Sequence, residues 1–322
     1  MLDSSRLAAE RRAAMENIFI ATPRTREAHQ KFHMLIDHAA VSQRNKMCVL
    51  LVAPSQSGKT KVIETFVDAM NTADLLTRRK IPVLHVTLHA QVTRNGLAQD
   101  ILLALQSHGY ETGAAKGGEQ ELWARVFRYL TVADVRLLVL DEVQHVKTSS
   151  VAMAHSVGDM IKGALNNGPC PIVLSGIQTA ELPFKVNTQL QQRAIPSIVL
   201  NRFRGDVPAD LELFGDFLVE YLMEVDDLGV TKNGCELLKG DVPACILEVS
   251  RGVLGAACRL LMEAVTTMTL DSRNRLIADD LAIATDNAFL RAGLHDRNPF
   301  RSGLGPVRDY DALEAAVRQA YA

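Results

Sequence analysis

Hydrophobic and polar positions follow two alternating periods along the first two-thirds of the chain. Short apolar runs at residues 46–53, 82–88, 136–140, 171–175 and 197–201 have the length of buried strands. Between them, apolar residues recur at helical spacing. Residues 59–70 put Val62, Ile63, Phe66, Val67 and Met70 on one face, and residues 96–106 do so with Leu97, Ile101, Leu102 and Leu105. Residues 119–130 and 152–166 continue the alternation. Strands alternating with helices predict an α/β fold with a parallel sheet covered on both faces. After about residue 204 the strand signal stops, and residues 211–223, 253–267 and 278–290 read as helices. Residues 1–46 are mildly basic and helix-prone, with an interruption at 22–26. The expected organisation is a helical extension over 1–45, an α/β domain over 46–205, a helical domain over 206–295, and a linker and tail over 296–322. In the tail, Leu313, Ala316, Val317 and Ala320 fall at helical spacing beyond a stretch rich in proline and glycine.

Composition narrows the class. The chain has 322 residues, 48% of them hydrophobic and 22% charged, enough to bury a core without a metal or disulfide staple. Lys plus Arg is 35 and Asp plus Glu is 37, a formal charge of −2. That balance excludes attraction of nucleic acid by the whole surface, so DNA binding has to come from a local basic stripe, which oligomerisation can repeat. The five cysteines are scattered and form no C-x-x-C, which predicts reduced core thiols. No run approaches the roughly 18–20 apolar residues of a membrane span. Residues 1–12 lack the apolar segment of a secretory signal. A cytoplasmic protein with no membrane partner is expected.

The sharpest chemical signal is A-P-S-Q-S-G-K-T at residues 53–60, between a predicted strand and a predicted helix. That context gives a glycine-rich loop its meaning as a phosphate cradle. Pro54, Ser55, Gln56, Ser57, Gly58, Lys59 and Thr60 are the candidate ATP-binding residues. Lys59 would reach the β- and γ-phosphates, and the Thr60 hydroxyl would ligate Mg²⁺. Ala53 stands where such loops begin with glycine. A residue with a Cβ costs about 1–2 kcal/mol if the position is left-handed, but Pro54 biases Ala53 toward extended backbone.

The second signal is L-L-V-L-D-E at residues 137–142, which sets Asp141 and Glu142 at the end of a buried strand. Asp141 suits the carboxylate of a Mg²⁺ site, and Glu142 suits the base that polarises the attacking water. The fourth strand ends S-G-I-Q-T. Thr179 is the candidate there to reach the γ-phosphate and water, with Gln178 and Ser175 as rivals and a helix cap as the competing role. Arg193, just before the fifth predicted strand, could complete a neighbouring subunit's site as an arginine finger, with Arg202 and Arg204 as alternatives. Arg259, in the helical domain, could face the nucleotide.

These features together resemble the AAA+ ATPases: a Walker A loop, a Walker B acidic pair, a polar strand end, a finger and a helical lid. More narrowly, the chain resembles the TniB/TnsC family of transposition ATPases. I-F-I-A-T-P-R, K-M-C-V-L-L-V-A-P-S-Q-S-G-K-T, L-L-V-L-D-E-V-Q-H-V, S-G-I-Q-T-A-E-L and T-Q-L-Q-Q-R carry that resemblance. It departs from the family at Ala53 and at Gln144, where histidine is usual. The resemblance implies a P-loop AAA+ domain with a parallel five-stranded sheet flanked by helices, followed by a small all-helical lid. It also implies assembly as a ring or helical filament on double-stranded DNA in the ATP state, recruitment of a DDE transposase, and a TniQ-type target selector as a further partner. Thr93 and Arg94, and Lys147, Thr148 and Ser149, are the candidate DNA-contacting loop residues, through sequence-tolerant phosphate contacts. A replication initiator or helicase loader, and a protein-directed signalling ATPase, are the competing classes.

Overall fold

The computed structural model describes residues 2–42, 46–89, 93–145, 151–232 and 234–312. The chain divides into two compact units. One is Pro23–Leu200, and the other combines Met1–Thr22 with Asn201–Ala322. In chain order the elements are α1 (Leu2–Glu16), α2 (Pro23–Val41), β1 (Cys48–Val52), α3 (Lys59–Met70), α4 (Ala73–Thr77), β2 (Val83–Thr87), α5 (Arg94–Ser107), α6 (Glu119–Val132), β3 (Leu137–Asp141), α7 (Val151–Asn167), β4 (Ile172–Gly176), α8 (Leu182–Val186), α9 (Thr188–Gln191), β5 (Ile198–Val199), α10 (Pro208–Asp227), α11 (Val242–Ser250), α12 (Leu254–Leu270), α13 (Ala278–Thr285) and α14 (Pro299–Ser302).

The strands form one parallel sheet in the order β2-β3-β4-β1-β5. Every residue of β1, β3 and β4 is buried, as their near-continuous Val and Leu content requires of strands covered on both faces. The fifth strand is shorter than the predicted run. Its pairing nevertheless continues on either side, with Ile195 N–H on Cys48 O and Leu200 N–H on Val52 O, both at 2.9 Å. Helix α3 starts at Lys59, as its apolar face predicts, and buries Val62, Ile63 and Phe66. Its far end is fixed by Asn71, whose side chain donates to Val83 O at 2.8 Å and accepts from Val83 N–H at 2.9 Å. Helix α2 braces α3 through an edge-on contact of Phe32 with Phe66, ring centroids 5.1 Å apart. The predicted interruption at 22–26 is the start of α2. Pro23 occupies its first turn, where a missing N–H costs nothing.

The second unit is helical. Tyr221, Phe214, Leu260, Leu261 and Met268 lie at its core. Helix α1 belongs here. Arg12 Nη1 pairs with Glu263 Oε1 at 2.8 Å, Arg11 Nη1 donates to Thr269 Oγ1 at 2.8 Å, and Met15 is 1% exposed in the core. The segment expected as a single extension over 1–45 is thus shared, with α1 in one unit and α2 in the other. The helix expected to run to residue 290 ends at Thr285 and widens into one π-turn, Asp286–Leu290. A cavity of about 190 Å³ in this unit lies under residues 304–311. Arg202 pairs there with Asp311 at 2.9 Å, and Arg251 stacks on Tyr310. The predicted helix holding Leu313, Ala316, Val317 and Ala320 lies outside the described residues. All five cysteines are free. Among the described residues, no single helix is long and apolar enough to cross a membrane. The pair α11 and α12, bent by 116°, has that length and composition only when taken together, and it buries apolar residues in the unit's own core.

Docking of α1 sets a test. Met15→Ala should destabilise the protein by about 2–5 kcal/mol, the cost of truncating a buried side chain. Arg12→Ala removes a partly exposed pair and should cost about 1 kcal/mol or less. Urea unfolding followed by circular dichroism separates the two.

Candidate active site

In a sheet whose three central strands, β3, β4 and β1, are buried along their length, polar side chains gather where those strands end. The carboxyl ends of β1, β4 and β3 lie side by side, because β4 pairs with both of the others. Residues 53–58 leave β1 and turn into α3. Ala53 is 1% exposed, and its N–H donates to Gly176 O at 3.1 Å. The loop's left-handed positions are Gln56 (φ 63°) and Gly58 (φ 85°), and Ala53 is not among them. The alanine therefore carries none of the strain that a left-handed position would impose.

Three N–H groups at the start of α3, those of Gly58, Lys59 and Thr60, meet no acceptor among the described residues. Helix starts leave such donors unpaired, and their partial charges favour an anion. The Ser57 hydroxyl is buried beside them without a partner. Lys59 is 6% exposed, and its ammonium donates to Ala53 O and Pro54 O, each at 3.3 Å. Burial lowers its pKa from the ordinary lysine value, against the pull of Glu142 and Asp141. A cradle of unpaired donors with one cation suits a polyphosphate.

The acidic pair comes from β3. Asp141 is 1% exposed and accepts from the Thr60 hydroxyl at 3.2 Å. Burial raises its pKa, but His85, Ser175 and the Glu142 N–H together outweigh burial and hold the carboxyl below its usual range. His85 Nε2 lies 3.7 Å from the carboxylate. The Thr60 hydroxyl and Asp141 carboxylate are hard oxygen donors, which fit Mg²⁺. Glu142 takes a left-handed backbone, φ 59°, and its N–H donates to Asp141 Oδ1 at 2.8 Å. Its Oε2 accepts from Gln144 Nε2.

The structure thus brings Lys59, Thr60, Asp141 and Glu142 together. Thr179 and Gln178 are exposed in the short turn Gln178–Glu181, while Ser175 is fully buried and faces Asp141. The Arg193 carbonyl accepts from Cys48 N–H at 2.9 Å. It therefore sits at the start of β1, about 13 Å of strand from the loop. Burial pushes the Cys48 thiol up to about 12, with Arg193 pulling the other way. Arg259 belongs to the second unit, over the Phe289 ring at 5.5 Å. Thr93 caps α5 by accepting from Gly96 N–H at 3.1 Å, and Arg94 pairs with Glu119 at 3.2 Å. Lys147, Thr148 and Ser149 lie outside the described residues. His85 belongs to no recognisable sequence motif. Its signal was a titratable residue inside an otherwise apolar strand.

The strand order and the loop, acidic pair and helical unit define a P-loop AAA+ fold. The TniB family, described as Bacterial TniB protein, matches residues 11–204 of this sequence. The chain belongs to the TniB family. Among curated proteins none matches it. Among solved structures it is similar to the ORC2 protein of Aeropyrum pernix in its ADP form, at 15% identity and TM-score 0.60, over 86% of this chain and 72% of that one. It is also similar to the Aeropyrum pernix ORC1 protein in complex with DNA, at 15% identity and TM-score 0.57, over 86% and 69%. Pyrobaculum aerophilum Cdc6p, at 13% identity and TM-score 0.55, covers 85% and 70%. Likeness at these identities speaks to the fold.

The depressed pKa of Asp141 makes a pH prediction. Its charge contributes stability above the unfolded value near 3.8, and that contribution is lost as pH falls through the lower folded value. The stability gap between wild type and Asp141→Asn should therefore be wide at neutral pH and shrink below that window. Urea unfolding across pH checks this, and a gap that does not vary with pH would contradict it.

Proposed function

We propose that this chain is an ATP-dependent regulator of DNA transposition. It binds ATP, assembles as a homo-oligomer on duplex DNA, recruits or stimulates a DDE transposase, and leaves the DNA on hydrolysis. The observation that carries the reading is the pairing of Thr60 with Asp141 at 3.2 Å, beside the unpaired donors of the loop, in a chain of the TniB family. A TniQ-type target selector is the expected further partner, and the cytoplasm the expected compartment.

In this mechanism Gly58, Lys59 and Thr60 offer backbone donors to phosphate oxygens, and Lys59 adds charge. Thr60 and Asp141 would hold Mg²⁺, which when bound neutralises phosphate charge. Glu142 polarises the attacking water. Arg193, at the opposite end of β1 from its own loop, serves the site of a neighbouring subunit. Thr179 and Arg259 act as secondary contacts to the nucleotide. Thr93, Arg94 and residues 147–149 serve DNA phosphates. The Arg94–Glu119 pair is about half exposed on both sides, so exchanging it for a phosphate costs little.

Lys59→Ala should abolish nucleotide binding and, with it, assembly on DNA. Glu142→Gln should retain ATP and remain locked on DNA, as read by filter binding and electron microscopy with duplex DNA. Wild-type hydrolysis by Glu142→Gln would refute the base assignment. Mixing Arg193→Ala with Lys59→Ala protein should restore some hydrolysis at hybrid interfaces. DNA binding should need ATP, lengthen with the duplex, and weaken steeply with salt, because a chain of charge −2 holds DNA only by repeating a small basic stripe. Tight binding of one subunit to a short duplex without ATP would overturn the reading.

A further inference from the structure

We propose that Gln144 is a positioning residue that ties the Glu142 carboxylate to the exit of β4, so that the segment after β4 sets the orientation of the base. The proposal rests on the reading of Glu142 as the base.

Gln144 lies in the single turn Val143–His145 directly after the acidic pair. Its Nε2 donates to Glu142 Oε2, and its Oε1 accepts from Ile177 N–H at 3.2 Å. A carboxylate only accepts and a backbone N–H only donates. One primary amide satisfies both in a single orientation, and the flipped amide would set acceptor against acceptor and donor against donor.

The slot that holds this amide depends on Gly176. A Cβ at that position would lie 2.6 Å from Gln144 Oε1 and 2.9 Å from Ala180 Cβ. The same residue's carbonyl accepts the Ala53 N–H that opens the phosphate loop, at 3.1 Å. The β4 exit thus holds both the start of the loop and, through Gln144, the carboxylate of Glu142.

Glu142 itself needs such a restraint. Its backbone is left-handed at φ 59°, a conformation that persists where surrounding contacts over-determine it. The hydrogen bond of its N–H to Asp141 Oδ1 fixes the backbone, and Gln144 fixes the side chain. With Oε2 engaged, Oε1 receives no hydrogen bond among the described residues, so it is the oxygen with acceptor capacity to spare for the base's work. Any movement of the turn Gln178–Glu181 that shifts Ile177 is transmitted to the base through one side chain.

Gln144→Leu keeps the approximate size and removes both hydrogen bonds. ATP hydrolysis and nucleotide affinity are measured on the full chain with duplex DNA, for wild type, Gln144→Leu, Glu142→Gln, the double variant and Gly176→Ala. Gln144→Leu should lower kcat about tenfold or more, with KM and nucleotide affinity within about threefold of wild type. In the Glu142→Gln background it should cause no further loss, measured by single turnover, because it acts only through that carboxylate. Gly176→Ala, which keeps Gln144 and Glu142 in the sequence but displaces the amide from its slot, should reproduce the kcat loss. If Gln144→Leu does not fold, Gln144→Met, similar in size and without the amide donor or acceptor, carries the same test. Wild-type kcat in a folded Gln144 variant, or a loss that adds fully to that of Glu142→Gln, overturns the proposal while leaving the base reading intact. Wild-type hydrolysis by Glu142→Gln instead removes the base reading itself.

Discussion

Burial of the parallel sheet on both faces is the constraint from which the rest follows. Strands such as Cys48–Val52 and Leu137–Asp141 have no solvent-facing side on which to carry polar groups. In these central strands the charged and hydroxyl-bearing residues therefore fall toward the carboxyl ends, and parallel pairing puts all carboxyl ends on one side of the sheet. With β4 between β1 and β3, the phosphate loop and the acidic pair are separated by one intervening strand. That spacing lets Thr60 of the first reach Asp141 of the second.

The same edge concentrates backbone strain. Gln56, Gly58 and Glu142 all take left-handed conformations, and only one of them is glycine. For the other two the cost is of order 1–2 kcal/mol each. Ala53, the departure from the usual loop pattern, lies outside this strained set and is held instead by its hydrogen bond to Gly176. Substituting the first loop glycine is therefore compatible with the turn, because the turn is made further on.

The alternation of short apolar runs with helical faces made the sheet unit legible from sequence, because strands buried on both sides read as continuous Val, Ile and Leu. Lys59, Thr60, Asp141 and Glu142 were legible because the motif residues sit at element boundaries set by that pattern. Helix α1 lacked an apolar stripe and docks largely through Arg11, Arg12 and Met15, so periodicity could not place it. Helix α11 is short and apolar nearly all round, which hides its period. The roles of His85 and Gln144 depend on contacts across strands, to Asp141 and Ile177, that no local spacing encodes. Ser175 rather than Thr179 faces Asp141, because the strand, not the turn after it, points inward there.

Helix α1 is synthesised well before its partners Glu263 and Thr269, with Arg12 and Glu263 lying 251 positions apart in the chain. The sheet unit is continuous in sequence and can complete itself while α1 waits. During that interval an apolar helix would be a liability for self-association. A helix rich in arginine, glutamate and alanine, with Met15 the one large fully buried anchor among its described side chains, can wait in water without aggregating. Late closure of the helical unit then depends on two segments distant in sequence, Met1–Thr22 and Asn201–Ala322, finding each other.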